Sequence, residues 1–131
     1  MLVSGRFLLD SSIIVLLLRG EPGIEVRLLQ IDEVYLSSTS LGELFYGARK
    51  SVRVADNLAA IHNFIVGRTI LPCDVATAQE YGIIKNELRT KGKPLPENDI
   101  WIAATARQYD LTLATRDAHL SEIVDLKQEL W

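Results

Sequence analysis

Short apolar runs alternate along this chain with longer segments of helical periodicity. Four runs have the composition of strands and lie at residues 7–9, 34–36, 69–71 and 111–114. Between them, apolar residues recur three and four positions apart, as they do on one face of a helix. Strands that alternate with helices become parallel neighbours in a sheet that is covered on both faces. The pattern therefore predicts an α/β fold with a central parallel sheet of four to five strands, flanked by helices on both faces.

The size and composition of the chain favour one globular domain over residues 1–131. Its 131 residues are 48% hydrophobic, and no internal repeat or linker interrupts them. The apolar run at 13–18 is too short for a signal peptide or a membrane span. We therefore expect a cytoplasmic protein that makes no contact with a membrane.

Rare residues and charge exclude several classes of protein. The single cysteine, Cys73, cannot form an internal disulfide, and one cysteine with two histidines cannot build a Cys/His zinc cage. The common nucleotide-binding, serine-hydrolase and zinc-protease motifs are missing from the sequence. A net charge of −3 argues against a protein that coats nucleic acid, although it permits a small nucleic-acid site.

Four acidic residues stand where the chemistry of an open parallel sheet is expected. Asp10 follows the first strand directly, and Glu43 follows the second strand, in the predicted first turn of the next helix. Asp99 begins the helix before the fourth strand, and Asp117 comes just after that strand. Since ligands gather beyond the carboxyl ends of parallel strands, we expect these carboxylates to converge. A cluster of oxygen ligands suits Mg²⁺ or Mn²⁺.

Each of these acidic residues also has a purely structural interpretation. Asp10 could cap the following helix, and Glu43 could complete a capping box that starts at Ser40. Asp99 and Asp117 lie near helix starts, where negative charge is favoured. The four together are harder to explain in this way, because like charges repel at close range unless a cation neutralises them.

The segments around these acids resemble the PIN domains of VapC-type toxins. The resemblance is carried by residues 8–12 (LLDSS), 40–47 (SLGELFYG), 96–104 (PENDIWIAA) and 113–117 (LATRD), and it covers essentially the whole chain. It implies a single PIN-like domain over 1–131, with a catalytic and metal-binding quartet of Asp10, Glu43, Asp99 and Asp117. The residues expected to support this quartet are Ser11, Thr115 and Arg116.

The resemblance also implies an activity and partners. It points to an Mg²⁺- or Mn²⁺-dependent RNA endonuclease that leaves 5′-phosphate and 3′-hydroxyl ends and is the toxin of a type II toxin–antitoxin pair. It further implies a homodimer and a small VapB-like antitoxin, which lays an apolar helix in a groove and sends a basic side chain to the acidic site. Two positions depart from the family pattern: Ser12 stands where Asn is common, and His119-Leu120 stands near the place of a usual Phe.

Basic residues near the predicted site are candidates for guiding RNA. Arg116 adjoins Asp117, and Arg49, Lys50 and Arg53 follow the helix of Glu43. A second group leads into the loop before Asp99 and consists of Lys85, Arg89, Lys91 and Lys93. Exposed Lys and Arg are ordinary on helices, so both groups could equally be solvated surface.

Two other functions remain open from the sequence. A PIN-like module could bind RNA or protein without cutting, but such a protein would have no need to retain four mutually repelling carboxylates. A phosphatase or phospho-acceptor would usually have a second Asp where Ser12 stands and a Lys after a later strand. We also expect Cys73 to be buried and Trp101 to belong to the core.

Overall fold

The structure is a computed structural model that describes residues 3–131. Five parallel strands form one sheet in the order β3-β2-β1-β4-β5. The strands are β1 (Val3–Leu9), β2 (Ile31–Ser37), β3 (Thr69–Leu71), β4 (Thr112–Thr115) and β5 (Gln128–Leu130). The helices are α1 (Ser11–Leu18), α2 (Pro22–Gln30), α3 (Ser38–Arg49), α4 (Val54–Ile65), α5 (Val75–Lys91) and α6 (Glu97–Gln108), with a 3-10 helix at Ala118–Glu122. The predicted α/β fold with a parallel sheet is confirmed.

The central strand β1 separates two apolar cores. Leu8 pairs in register with Tyr35 on β2 and with Leu113 on β4. Because successive side chains of a strand point to opposite faces, Phe7 and Leu9 pack against α1 to α4. Leu8 points the other way, into the core beneath α5 and α6. Both faces of the sheet are therefore covered, as the alternating pattern predicts.

Side-chain caps fix where the helices begin. Asp10 caps α1 by accepting from the backbone N–H of Ser11, and Ser37 caps α3 by accepting from that of Ser40. Asp74 and Thr77 form a reciprocal capping box at the start of α5, which ends at Gly92 with a φ of 69°. Only glycine adopts that left-handed conformation without steric cost.

Three details differ from the sequence predictions. The helix α3 starts at Ser38 and is capped by Ser37, so the alternative of a capping box at Ser40 is wrong, and Glu43 lies in the second turn and not in the first. Cys73 is exposed and not buried, since it lies in the loop that follows β3. The strand β5 had not been recognised, because it is only three residues long and two of them are polar.

The residue that follows β5 fastens the strand to the sheet. The backbone N–H of Trp131 donates to the carbonyl of Thr115 over 3.0 Å, and the indole ring lies 5.9 Å from the ring of Phe7.

Across residues 3–131, no helix is long and apolar enough to cross a bilayer.

Candidate active site

Asp10 lies at the carboxyl end of β1 and is held by three hydrogen-bond donors. Its side chain accepts from the backbone N–H of Ser11 at 2.8 Å, from Ser12 Oγ at 3.2 Å and from Thr115 Oγ1 at 2.7 Å. Only 5% of its surface is exposed. A carboxylate this buried with several donors has a fixed orientation. Ser12, the residue that departs from the family pattern, thus still supplies a hydrogen bond to Asp10.

Thr115 links Asp10 to Asp117. Its hydroxyl donates to Asp10 and accepts from the backbone N–H of Asp117 at 3.0 Å, and Thr115 itself is fully buried. Asp117 in turn accepts from the backbone N–H of His119 at 2.9 Å, and the His119 ring nitrogen Nδ1 lies 3.0 Å from the same oxygen. The segment at the end of β4 therefore supplies the carboxylate of Asp117 and orients that of Asp10.

Glu43 reaches the same region from the second turn of α3. Its side chain is half-buried, and its Oε1 has no hydrogen-bond partner among the described residues. Burial is the main cause that raises the pKa of Glu43, and the negative charge of Asp10 raises it further. The polar side chains of Ser11 and Asn98 act in the opposite direction, because they favour the ionised carboxylate and so lower its pKa.

Asp99 contributes the fourth carboxylate from the first turn of α6. Burial, followed by the charges of Asp10, Asp117 and Glu43, raises the pKa of Asp99 to about 6. The three other predicted acids therefore lie within electrostatic range of Asp99, on the side of the sheet where β1 and β4 end. The side chain of Asn98, which lies next to Asp99 in sequence, had not been recognised as part of this region.

The donor set suits a hard divalent cation. All four side chains offer oxygen, the ligand that Mg²⁺ and Mn²⁺ prefer, and the unpartnered Oε1 of Glu43 is free to coordinate. Within residues 3–131, however, no three Asp, Glu, His or Cys side chains stand close enough together to form a ready metal cage. The oxygens of the four acids thus match the chemistry of the expected cation, but the side chains are not gathered around one point.

The other residues selected from the sequence differ in what their side chains contact. Arg116 is exposed, and its backbone N–H lies 3.4 Å from Ser12 Oγ. In the second basic group, Lys85 pairs with Glu97, and Lys91 contacts the carbonyl of Glu122. Arg89 donates to Asn86, and Lys93 is exposed in the loop after α5. Trp101 is half-buried and stacks on Tyr81, with ring centroids 4.0 Å apart.

We expect Thr115→Val to weaken both the fold and the site, whereas Thr115→Ser keeps them largely intact. Valine has the shape of threonine but removes one of the three hydrogen bonds to the buried carboxylate of Asp10. The loss of this charge-assisted bond costs about 1.5–3 kcal/mol. Loss of such a support around a metal-binding carboxylate typically lowers metal affinity or activity by about 10–100-fold. Urea unfolding and cleavage assays on both variants measure these effects, and equal behaviour of the valine and serine variants would contradict the role of the hydroxyl.

The raised pKa of Asp99 predicts a pH-dependent stability in the presence of EDTA. The folded state holds this proton up to about pH 6, whereas the unfolded chain releases it near the usual value of 3.8. The ionised carboxyl therefore destabilises the fold above pH 6, and that penalty disappears as the pH falls from 6 to about 4. Because the carboxyl is partly open to solvent, the penalty should be only about 1 kcal/mol.

The Asp99→Asn variant isolates this contribution from other titrating groups. At pH 7.5 the variant should be the more stable protein, and its advantage should vanish near pH 4. Unfolding free energies measured in urea across this range test the expectation, and an advantage that does not change with pH would contradict it.

The fold and the site together define an α/β protein with an acidic cluster at the carboxyl edge of a parallel sheet. A family model described as "PIN domain" matches residues 7–126. The chain is 35% identical over 130 residues to "Ribonuclease VapC2" of Haemophilus influenzae, covering 96% of this chain and 98% of that protein. It is 33% identical over 129 residues to "tRNA(fMet)-specific endonuclease VapC" of Shigella flexneri, with the same coverage. The chain belongs to the PIN-domain family.

Solved structures agree with this assignment. A crystal structure of VapBC2 from Rickettsia felis, bound to a DNA fragment from the promoter, contains a chain with a TM-score of 0.91 and 25% identity. The match covers 98% of this chain and 99% of that one. A chain in DNA-bound VapBC from Salmonella typhimurium has a TM-score of 0.87 and 31% identity, with 98% coverage of both.

Proposed function

We propose that this protein is a metal-dependent RNA endonuclease and the toxin of a type II toxin–antitoxin pair. The observation that carries the proposal is the hydroxyl of Thr115, which joins buried Asp10 to the backbone of Asp117 at the sheet edge where Asp99 is also under the influence of these charges. Such a cluster is costly to maintain unless it binds a cation. Relatives named as ribonuclease and tRNA endonuclease, similar over nearly the full length, support RNA as the substrate.

The four carboxylates are the residues that would hold Mg²⁺ or Mn²⁺. When bound, such a cation supplies Lewis acidity toward the scissile phosphate and toward a water molecule. The chain's own part is to fix the ligands: Ser11, Ser12 and Thr115 orient Asp10, and the Thr115 hydroxyl ties that carboxylate to the backbone of Asp117. Arg116 is exposed and adjoins Asp117 in the chain, and in this proposal it binds a neighbouring phosphate.

A groove beside the site is our candidate for the antitoxin. It has a volume of about 420 Å³ and lies between α1, α3 and α4, where its lining includes Val15, Leu44 and Ile61. Glu43 is part of the lining, so a basic side chain of a bound helix that reaches it would meet an acidic partner. Related chains have been solved in VapBC from Salmonella typhimurium and in FitAcB from Neisseria gonorrhoeae. These relatives support a small antitoxin as the occupant. The homodimer implied by the resemblance stays a prediction.

The proposed activity can be tested directly with purified protein. Initiator tRNA is the first substrate to try, because a relative carries the name tRNA(fMet)-specific endonuclease. We expect RNA cleavage with Mg²⁺ or Mn²⁺, none with EDTA, and products with 5′-phosphate ends. DNA and a simple phosphate ester serve as parallel substrates. Binding of RNA without cleavage under all metal conditions would favour the non-catalytic module, and hydrolysis of the ester alone would favour a phosphatase.

A further inference from the structure

A cavity open to solvent is lined mainly by residues of α3, including Glu43. It has a volume of about 670 Å³, within the range of small-ligand sites, and Glu43, Tyr46, Lys50 and Asn98 contribute side chains to it. Two glycines, Gly42 and Gly47, also line it, and a Cβ added at either would meet nothing within 4 Å. Open space thus extends over this side of α3, directly next to a proposed metal ligand.

The cavity presents an aromatic ring to solvent. Tyr46 is 66% exposed and lies on the face of α3 opposite to the buried Leu44 and Ala48. It stands three positions after Glu43, so the two side chains are neighbours on the helix surface, with Cβ atoms about 5–6 Å apart. An exposed aromatic face beside a nuclease site can stack a nucleic-acid base, because every base has a π-face.

A lysine accompanies the ring. Lys50 Nζ lies 5.0 Å from the centroid of the Tyr46 ring, in a cation–π arrangement. Among the described residues Lys50 has no salt-bridge partner, whereas Lys85 and Lys91 are paired with Glu97 and Glu122. Its charge is therefore available next to an acidic cluster that would otherwise repel a phosphate backbone.

We infer that Tyr46 and Lys50 form a nucleotide subsite, in which the ring stacks a base next to the scissile phosphate and the ammonium binds the adjoining phosphate. The inference rests on the proposed RNA endonuclease function and adds a residue-level account of how single-stranded RNA is held. Glu43 and Lys50 also line the groove proposed for the antitoxin, so the two ligands would share this edge of the site. Unpaired nucleotides are the expected ligand, since a base inside a duplex has no free face.

The test compares Tyr46→Leu, Tyr46→Phe and Lys50→Gln with a control, Leu29→Ala, which changes a side chain that is 77% exposed on α2. Steady-state cleavage of the RNA substrate should show KM raised about tenfold by Tyr46→Leu, with kcat changed by less than about twofold. Tyr46→Phe, which keeps the ring, should recover most of that loss. Lys50→Gln should raise KM and reduce the salt dependence of binding. The control should match the wild type.

A binding measurement separates the subsite from the chemistry. The probe is a 10-nucleotide single-stranded RNA with 2-aminopurine in place of one base, added with Mg²⁺ to proteins that also carry Asp99→Asn. Stacking on Tyr46 should quench the fluorescence at one position of the label, and Tyr46→Leu should abolish that quenching.

Three outcomes would overturn the subsite. The first is a Tyr46→Leu protein that cleaves RNA with the KM of the wild type and quenches the label equally. This outcome leaves the endonuclease function standing. The second is a loss of antitoxin binding by Tyr46→Leu with RNA binding intact, which would make Tyr46 a protein contact. The third is a wild-type protein that neither binds nor cleaves RNA, which removes the proposed function and the subsite together.

Discussion

We expect the Asp99→Asn protein to cleave RNA at least about a thousandfold more slowly than the wild type. The substitution keeps the size of the side chain but removes one of the anionic oxygens that the four-carboxylate cluster would offer to a cation. Since the cation would carry most of the charge stabilisation in phosphodiester hydrolysis, weakening its site affects the rate more than any contact to the RNA would. Cleavage of tRNA in saturating Mg²⁺ measures the effect.

Stability separates this loss of activity from a loss of fold. Asp99→Asn removes a carboxyl whose pKa is raised by burial and by three like charges, so at neutral pH the variant should be slightly more stable than the wild type. Asp32→Asn is the matched control, because Asp32 is an exposed carboxylate on β2. A folded Asp99→Asn protein that cleaves RNA at the wild-type rate would remove Asp99 from the proposed site.

Filling the groove between α1, α3 and α4 should abolish antitoxin binding while the nuclease remains active. Ala60 lies in the lining of this groove and is exposed on α4. A tryptophan at this position would occupy the space that a partner helix needs, and we expect binding at least about a hundredfold weaker, equivalent to about 2.7 kcal/mol. Isothermal titration with the proposed VapB-like antitoxin measures the affinity.

The neighbouring alanine provides the control for this experiment. Ala59 is also exposed on α4 but does not line the groove, so Ala59→Trp adds the same bulk outside the proposed interface. In cells, Ala60→Trp should arrest growth even when the antitoxin is co-expressed, whereas Ala59→Trp should be neutralised. Equal antitoxin affinity for both variants would place the docking surface elsewhere.

Much of the fold could be predicted from the sequence because its signals are local. The apolar runs that became β1 to β4 are short and bounded by polar residues, and the helical stripes between them are regular. The strand β5 lacked such a signal, since its place is set by the backbone of Trp131 bonding to Thr115 and by an indole packed on Phe7. The start of α3 was misplaced for a similar reason: Ser37 and Ser40 both have the chemistry of a cap, and only Ser37 takes that role.

The candidate site, like the fold, could be predicted from the sequence only in part. Its acids could be selected from the sequence because each stands at a strand end or helix start, positions that parallel topology brings to one edge. The effect of these acids on one another could not be predicted, because it depends on distances across the sheet and on burial. The pKa of Asp99, for example, is raised by three residues that are remote from it in sequence. The same holds for Thr115, whose hydroxyl reaches Asp10 across 105 positions of chain.

The sequence by itself determined the alternation of strands and helices, the parallel sheet and the identity of the four carboxylates, because these depend on periodicity and on residue type at element ends. Only the tertiary structure decided which side chains orient Asp10, which lysines are paired, that Cys73 is exposed, and that Tyr46 faces an open cavity beside Glu43. These properties are set by contacts between distant segments and by what remains uncovered after packing, and no local pattern of residues records either.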